Sequence, residues 1–203
     1  MKIICVGLNY ARHIEEFNSQ VPEEPVVFFK PDSAILRDNK PFYIPDFTQQ
    51  LDYETELVVR IGRLGKNISE KFAHRYYDSV ALGIDLTARD LQRKARSAGH
   101  PWALSKGFDG AAVLSEFIPL SETEGMEKIH FHLQKNDVTV QEGFSGDMLF
   151  SVDKLIAYIS RFISLKIGDL IYTGTPSGVG SLAIGDHLEG YIEDKKLIDF
   201  QIR

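Results

Sequence analysis

At 203 residues with a net charge of −6, the chain can bury a sizeable core but shows no basic footprint, so nucleic acid is not an expected partner. Its 43% hydrophobic and 26% charged residues suit a globular protein, and no apolar run approaches the ~20 residues that cross a bilayer, so no membrane partner is expected. A lone cysteine, Cys5, excludes an internal disulfide and fits a reducing, cytoplasmic setting.

Residues 2–7 read as a short buried strand that stops at Gly7, without the length or cleavage site of a signal peptide. Asn9 is placed to cap a helix running to about Phe17, on which His13 and Glu16 are i,i+3 neighbours. Polar, proline-bearing residues 18–25 predict a loop, and residues 26–29 a short apolar strand halted by Lys30-Pro31. Residues 51–62 alternate β-branched or aromatic with polar residues. This predicts a strand with Tyr53, Thr55, Leu57, Val59 and Ile61 on one face and Glu54 and Glu56 together on the other.

Ser69 is a candidate cap for a helix whose Phe72, Tyr76, Tyr77 and Val80 share one side. Residues 80–84 form an apolar strand with Asp85 at its end, and residues 88–98 have a helical pattern stopped by Gly99 and Pro101. A turn is expected at Asp109-Gly110. Strands over 129–135 and 138–142 flank Asn136-Asp137, a hairpin turn, and Ser151 caps a helix with Leu155, Ile156, Ile159 and Ile163 on its apolar face. Short strands separated by Gly-Asp pairs follow. No repeat or linker interrupts the chain, so one α+β, strand-rich domain over residues 1–203 is expected.

Adjacent carboxylates on one strand face repel, so Glu54 and Glu56 either face water or share a cation. Asp85, following an apolar strand, needs a proton, a cation or several donors if buried, or else caps the next helix. Together the three make a donor set for Mg²⁺ or Mn²⁺ with positions left for water. His13 and Glu16 resemble an acid/base dyad, in which a carboxylate fixes the imidazole tautomer, although a lone histidine is commonly structural. Lys106 sits in an apolar stretch that would shield it, or is an ordinary surface lysine. His130 and His132 alternate on a strand with no third soft ligand at zinc spacing. The run from Thr173 to Gly180 lacks a phosphate-loop ending, but its backbone amides suit a small anion.

The segments Val6-Gly7-Leu8-Asn9-Tyr10 with His13 and Glu16, Phe29-Lys30-Pro31, and Asp52-Tyr53-Glu54-Thr55-Glu56-Leu57 recur in order with four others. These are the stretches at 83–92, 101–109, 141–143 and 173–180. So arranged, the chain resembles the fumarylacetoacetate hydrolase superfamily, in its short acylpyruvate hydrolase and oxaloacetate decarboxylase branch. The resemblance implies the family's mixed β-roll, usually a homodimer, and a Mg²⁺ or Mn²⁺ site on Glu54, Glu56 and Asp85. It also implies His13 and Glu16 as the dyad on a ligand-ordered lid, Lys106 as a cationic partner, and Arg89, Gln92 and Thr175 near the substrate. Asp32 stands where the family often has a small residue, which bears on lid charge.

The implied activity is cleavage of a small 2-oxo acid through a pyruvate enolate, by acylpyruvate hydrolysis or oxaloacetate decarboxylation. A second reading keeps the same site and isomerises a 2-oxo dioic acid, or a 2-hydroxydiene such as 2-hydroxyhepta-2,4-diene-1,7-dioate, between keto and enol forms. A third is a metal-stabilised binding protein without turnover, against which the dyad and Lys106 argue.

Overall fold

The computed structural model describes residues 1–16 and 20–203, with the side chain of Glu15 also outside the described set. The expected loop over 18–25 therefore falls partly outside the described residues; residues 20–25 form no helix or strand. In chain order come β1 (Ile3–Gly7), α1 (Ala11–Glu16), β2 (Val26–Lys30), β3 (Ile35–Leu36), β4 (Leu51–Tyr53) and β5 (Thr55–Arg60). Next are α2 (Glu70–Ala73), β6 (Ser79–Asp85), β7 (Thr87–Ala88), α3 (Arg89–Ser97), α4 (Ala103–Lys106), β8 (Ala112–Leu114) and β9 (Ile118–Pro119). The chain continues through β10 (His130–Lys135), β11 (Val138–Phe144), α5 (Val152–Phe162), β12 (Leu170–Tyr172), β13 (Gly180–Ser181), β14 (His187–Ile192) and β15 (Lys195–Gln201).

The main sheet runs β2-β1-β12-β5-β6-β8-β3, with β9 on β6. It is mixed: β1 pairs parallel with β12 and β3 parallel with β8, while β5 lies antiparallel between β12 and β6. A four-stranded antiparallel sheet, β11-β10-β14-β15, packs its Phe131, Leu133, Leu188 and Ile198 into the same core as Leu57, Leu82 and Ile84. The small β13-β4-β7 sheet closes the region near the carboxylates. Among the described residues, no helix is long and apolar enough to cross a membrane.

Several expectations hold locally for the reasons that suggested them. Asn136 and Asp137 both have positive φ, the conformation a two-residue turn matching sheet twist requires, and join β10 to β11. Ser151 Oγ accepts from the Lys154 amide, and Leu155, Ile156 and Ile159 are buried along α5.

Others are corrected. Asn9 does not cap α1: its amide nitrogen donates to the carbonyls of Phe150 and Thr173, and its Oδ1 accepts from the Phe150 amide. A long-range tie across β1, β12 and α5 outcompetes a local cap. The Ser69 helix lasts one turn and passes into a 3-10 turn, without a side-chain cap. Tyr77 is extended, the Tyr76 carbonyl is taken by the Gly62 amide, and Val80 belongs to β6. The strand expected over 51–62 breaks at Glu54, and both its faces are buried through Val59. The alternative in which Glu54 and Glu56 face water is thereby excluded.

Candidate active site

β5 and β6 bring the carboxylates together. The antiparallel register sets Glu56 opposite Gly83 and Thr55 opposite Ile84, and the Asp85 amide donates to the Glu54 carbonyl at 2.8 Å. On such a ladder, cross-strand partners and residues two apart share a face. Glu56 and Asp85 therefore project on the side where Gly83 has no side chain. A Cβ at Gly83 would meet Tyr172 Cε1 at 2.5 Å and Val58 Cγ2 at 2.7 Å, so the glycine admits the Tyr172 ring beneath the carboxylates. One oxygen from each of Glu54, Glu56 and Asp85 lies within 4.8 Å of the others, and all three residues are buried.

Cations hold two of these groups. Lys106 Nζ, 2% exposed on α4, donates to Glu54 Oε2 at 2.7 Å and Asp85 Oδ2 at 2.8 Å. Lys30 Nζ, from the end of β2, sits 2.6 Å from Asp85 Oδ1. That contact is ionic without hydrogen-bond alignment; the Lys30 ammonium donates to the carbonyls of Lys106 and Ala111 instead. Arg89 Nη2 donates to Glu54 Oε1 at 2.5 Å, its Nε to Asp52 Oδ2 at 2.8 Å and its Nη1 to Gln92 Oε1 at 2.5 Å. Asp52 is in turn held by Ser181 Oγ and Gln50 Nε2.

The charges follow. Burial pushes the Glu54 carboxyl up, but Lys106 and Arg89 outweigh it and hold it well below the usual carboxylate range. Burial, then the charges of Asp85 and Glu54, push Glu56 well above that range. Burial alone would lower Lys106, yet Asp85 and Glu54 raise it and keep the ammonium charged. Glu56 has no cationic partner among the described residues and accepts only the Gly174 amide at 2.8 Å. A buried carboxylate held by one backbone donor beside two others is the position a divalent cation would neutralise. All-oxygen donors suit a hard ion, so the residues fit Mg²⁺ or Mn²⁺.

His13 lines the same cavity, which has a volume of about 100 Å³. Its Nδ1 lies 3.3 Å from Glu16 Oε2, and both Glu16 oxygens accept from the Gly178 amide at 3.3 Å. Burial lowers the His13 pKa against the opposing charges of Glu54 and Glu16, favouring neutral imidazole. Glu16 is not part of the cavity wall; it stands behind the ring. Gln92 and Thr175 do line the cavity. The Thr175 hydroxyl donates to the Thr55 carbonyl and accepts from Gln141 Nε2, so it is anchored by β5 and β11.

The structure thus gathers His13, Glu54, Glu56, Asp85, Arg89, Gln92, Lys106 and Thr175 around one cavity. The expectations for those side chains missed Lys30, which neutralises the far oxygen of Asp85. Its sequence signals were a lysine ending an apolar run and its place in the Phe29-Lys30-Pro31 segment, neither of which assigned it a role. The roles of Asp52 and Gln141 were missed too, since they depend on Arg89 and on Thr55 and Thr175, far along the chain, and Arg96 was missed because only the fold brings it to the cavity. His130 and His132 stack on Phe144 and Tyr191. Asp32 is exposed in a 3-10 turn and does not line the cavity.

Residues 2–202 match the family model described as fumarylacetoacetate (FAA) hydrolase C-terminal. The chain belongs to this family. It is 42% identical over 188 residues to oxaloacetate tautomerase YcgM of Escherichia coli, covering 92% of this chain and 86% of the relative. It is 38% identical over 201 residues to the mitochondrial oxaloacetate tautomerase FAHD1 of Mus musculus, covering 99% and 91% of the two chains. The structure also superimposes on fumarylpyruvate hydrolase of Pseudomonas aeruginosa, solved in complex with Mn2+ and pyruvate. That match has a TM-score of 0.94 and 32% identity, covering 100% of this chain and 89% of the other. Membership agrees with the strand-rich α+β roll described above.

Proposed function

We propose that this family member is an enzyme that interconverts the keto and enol forms of a small 2-oxo dioic acid, with oxaloacetate the best-supported substrate. The observation that carries the reading is one cavity holding a neutral histidine beside three convergent buried carboxylates. It occurs in a chain aligned over nearly its whole length with relatives named oxaloacetate tautomerases. Glu54, Glu56 and Asp85 would hold Mg²⁺ or Mn²⁺. The ion, when bound, supplies Lewis acidity to the 2-oxo carbonyl and so acidifies the neighbouring C–H.

The rest falls to the chain. Glu16 takes the Nδ1–H of His13 and leaves Nε2 as the basic atom. The Nε2 lone pair removes the proton from C3 as the C–H electrons form the enolate; solvent at the open end gives a proton to the enolate oxygen, and His13 releases the C3 proton to solvent, which restores the neutral imidazole. Lys106 keeps its positive charge and stabilises the negative charge developing on that oxygen in a desolvated setting. Arg89, Gln92 and Thr175 orient the acid. Residues 1–203 are read as a single catalytic domain on this account.

C–C cleavage remains the second reading, favoured by the His13–Glu16 pair, which suits activation of water as well as of carbon. Metal-stripped protein assayed with oxaloacetate, with and without added Mg²⁺ or Mn²⁺, separates the two. Metal-dependent enol–keto equilibration at unchanged mass is the expected result. Pyruvate released above the uncatalysed background would move the assignment to cleavage, and absence of metal binding would overturn the site.

A further inference from the structure

Helix α3 carries a ladder that the proposed chemistry uses only in part. Arg89, Gln92 and Arg96 are spaced by three and four residues, so they share one helix face, and all three line the cavity. At 1.5 Å per residue, Arg96 lies about 10 Å along the axis from Arg89. Arg89 and Gln92 are each 6% exposed, whereas Arg96 is exposed, which puts Arg96 at the solvent end.

The other fixed cations of the cavity wall are committed. Lys106 is bound to Glu54 and Asp85, and Arg89 to Asp52 and Glu54. Arg93, the neighbouring cation on α3, donates to Gln50 Oε1. The Arg96 guanidinium makes no ion pair or side-chain hydrogen bond among the described residues. Lys106, Lys30 and Arg89 already pair with Glu54 and Asp85, and Glu56 is the third donor for the metal, so the exposed Arg96 guanidinium at the cavity rim is left for an anion that enters there.

We infer that Arg96 binds the distal carboxylate of a 2-oxo dioic acid whose 2-oxo acid head is held deeper in the cavity. The inference rests on the proposed substrate class and narrows it: Arg96 makes the site prefer dioic over monocarboxylic 2-oxo acids. The planar fork can engage both oxygens of a carboxylate, which gives direction as well as charge.

The test uses the metal-loaded protein and two probes sharing a head group: pyruvate, and oxaloacetate, which adds the second carboxylate. Kd values are read by calorimetry, with KM and kcat measured alongside. Arg96→Gln should weaken oxaloacetate about tenfold to a hundredfold, the range for losing a charged hydrogen bond. Pyruvate should change less than about twofold, with the effect falling on KM more than kcat, and Arg96→Lys should recover part of the loss. Parallel weakening of both acids, or no change in either, would overturn the inference, as would a wild type that binds oxaloacetate no more tightly than pyruvate. If the wild type binds both acids but converts neither, the tautomerase reading fails, while the difference in Kd still decides the role of Arg96.

Discussion

At the scale of single residues, the site is a set of charges balanced before any ligand enters. Among the described residues Lys30 and Lys106 pair with Asp85, and Lys106 and Arg89 with Glu54, leaving Glu56 as the carboxylate that burial drives toward its neutral form. Replacing Glu54 by Gln or Asp85 by Asn should abolish high-affinity metal binding, measured by metal content after gel filtration. Normal content in both variants would refute the site. His13→Ala should lower kcat about 10²–10⁴-fold while metal content stays close to wild type. Turnover equal to wild type would remove His13 from the mechanism. Residue types carried much of this: three carboxylates on two apolar strands, and a histidine three residues from a glutamate, were legible as chemistry. Lys30 and Asp52 were not, because a residue that neutralises or orients another is defined by its partner, and those partners lie 55 and 37 positions away, at Asp85 and Arg89.

At the scale of elements, β5 and β6 decide whether the carboxylates meet, and their register depends on Gly83. An added methyl there would press on Tyr172, Val58 and the Val113 carbonyl, the last at 3.0 Å. Gly83→Ala should destabilise by about 1–3 kcal/mol and lower Tm, as overpacking in a filled core does. An unchanged Tm would mean that the Tyr172 ring has room to move. Gly174 is constrained differently: its φ is +100° and a Cβ would meet Asn9 Cβ at 2.7 Å, while its amide supports Glu56. The strands, the Asn136-Asp137 turn and the Ser151 cap could be read locally because their determinants are local. The Ser69 helix and the Asn9 cap could not, since the Tyr76 carbonyl and the Asn9 amide are claimed by distant backbone. The strand at 51–62 misled in an instructive way: alternation predicted one wet face, but Leu57 and Leu82 pack against the β10–β14 sheet while Lys106 and Arg89 lie over Glu54 and Asp85 on the other face, leaving none.

At the scale of the molecule, Asp169 ties the chain's start to its last third. Its carboxylate accepts from the Lys2 and Lys166 amides at 2.8 and 2.7 Å and pairs with Lys2 Nζ at 2.5 Å. Burial raises its pKa, but these partners prevail and hold it below 3.8. A carboxyl depressed on folding contributes stability that is complete above its unfolded value and lost as pH falls through the folded one. Asp169→Asn should therefore lower stability at neutral pH and flatten the acid limb, seen in urea melts from about pH 2 to 7. Parallel pH curves for the two proteins would show that the group does not titrate as described.

The position of β12 has a consequence for how the protein comes into being. It is the strand between β1 and β5, so the cavity wall from Val6, Gly7 and Phe28 meets the wall from Glu54 and Glu56 across a strand beginning at Leu170. On the ribosome, at ~5–20 residues per second, the β1–β2 hairpin waits on the order of ten seconds for its inner neighbour. During that interval β1 and β5 each expose an edge that the finished molecule hides, open to chaperones or to another nascent chain. The cavity is thus completed late in translation: the sheet pairing that joins β1 to β5 forms only once β12 has been made.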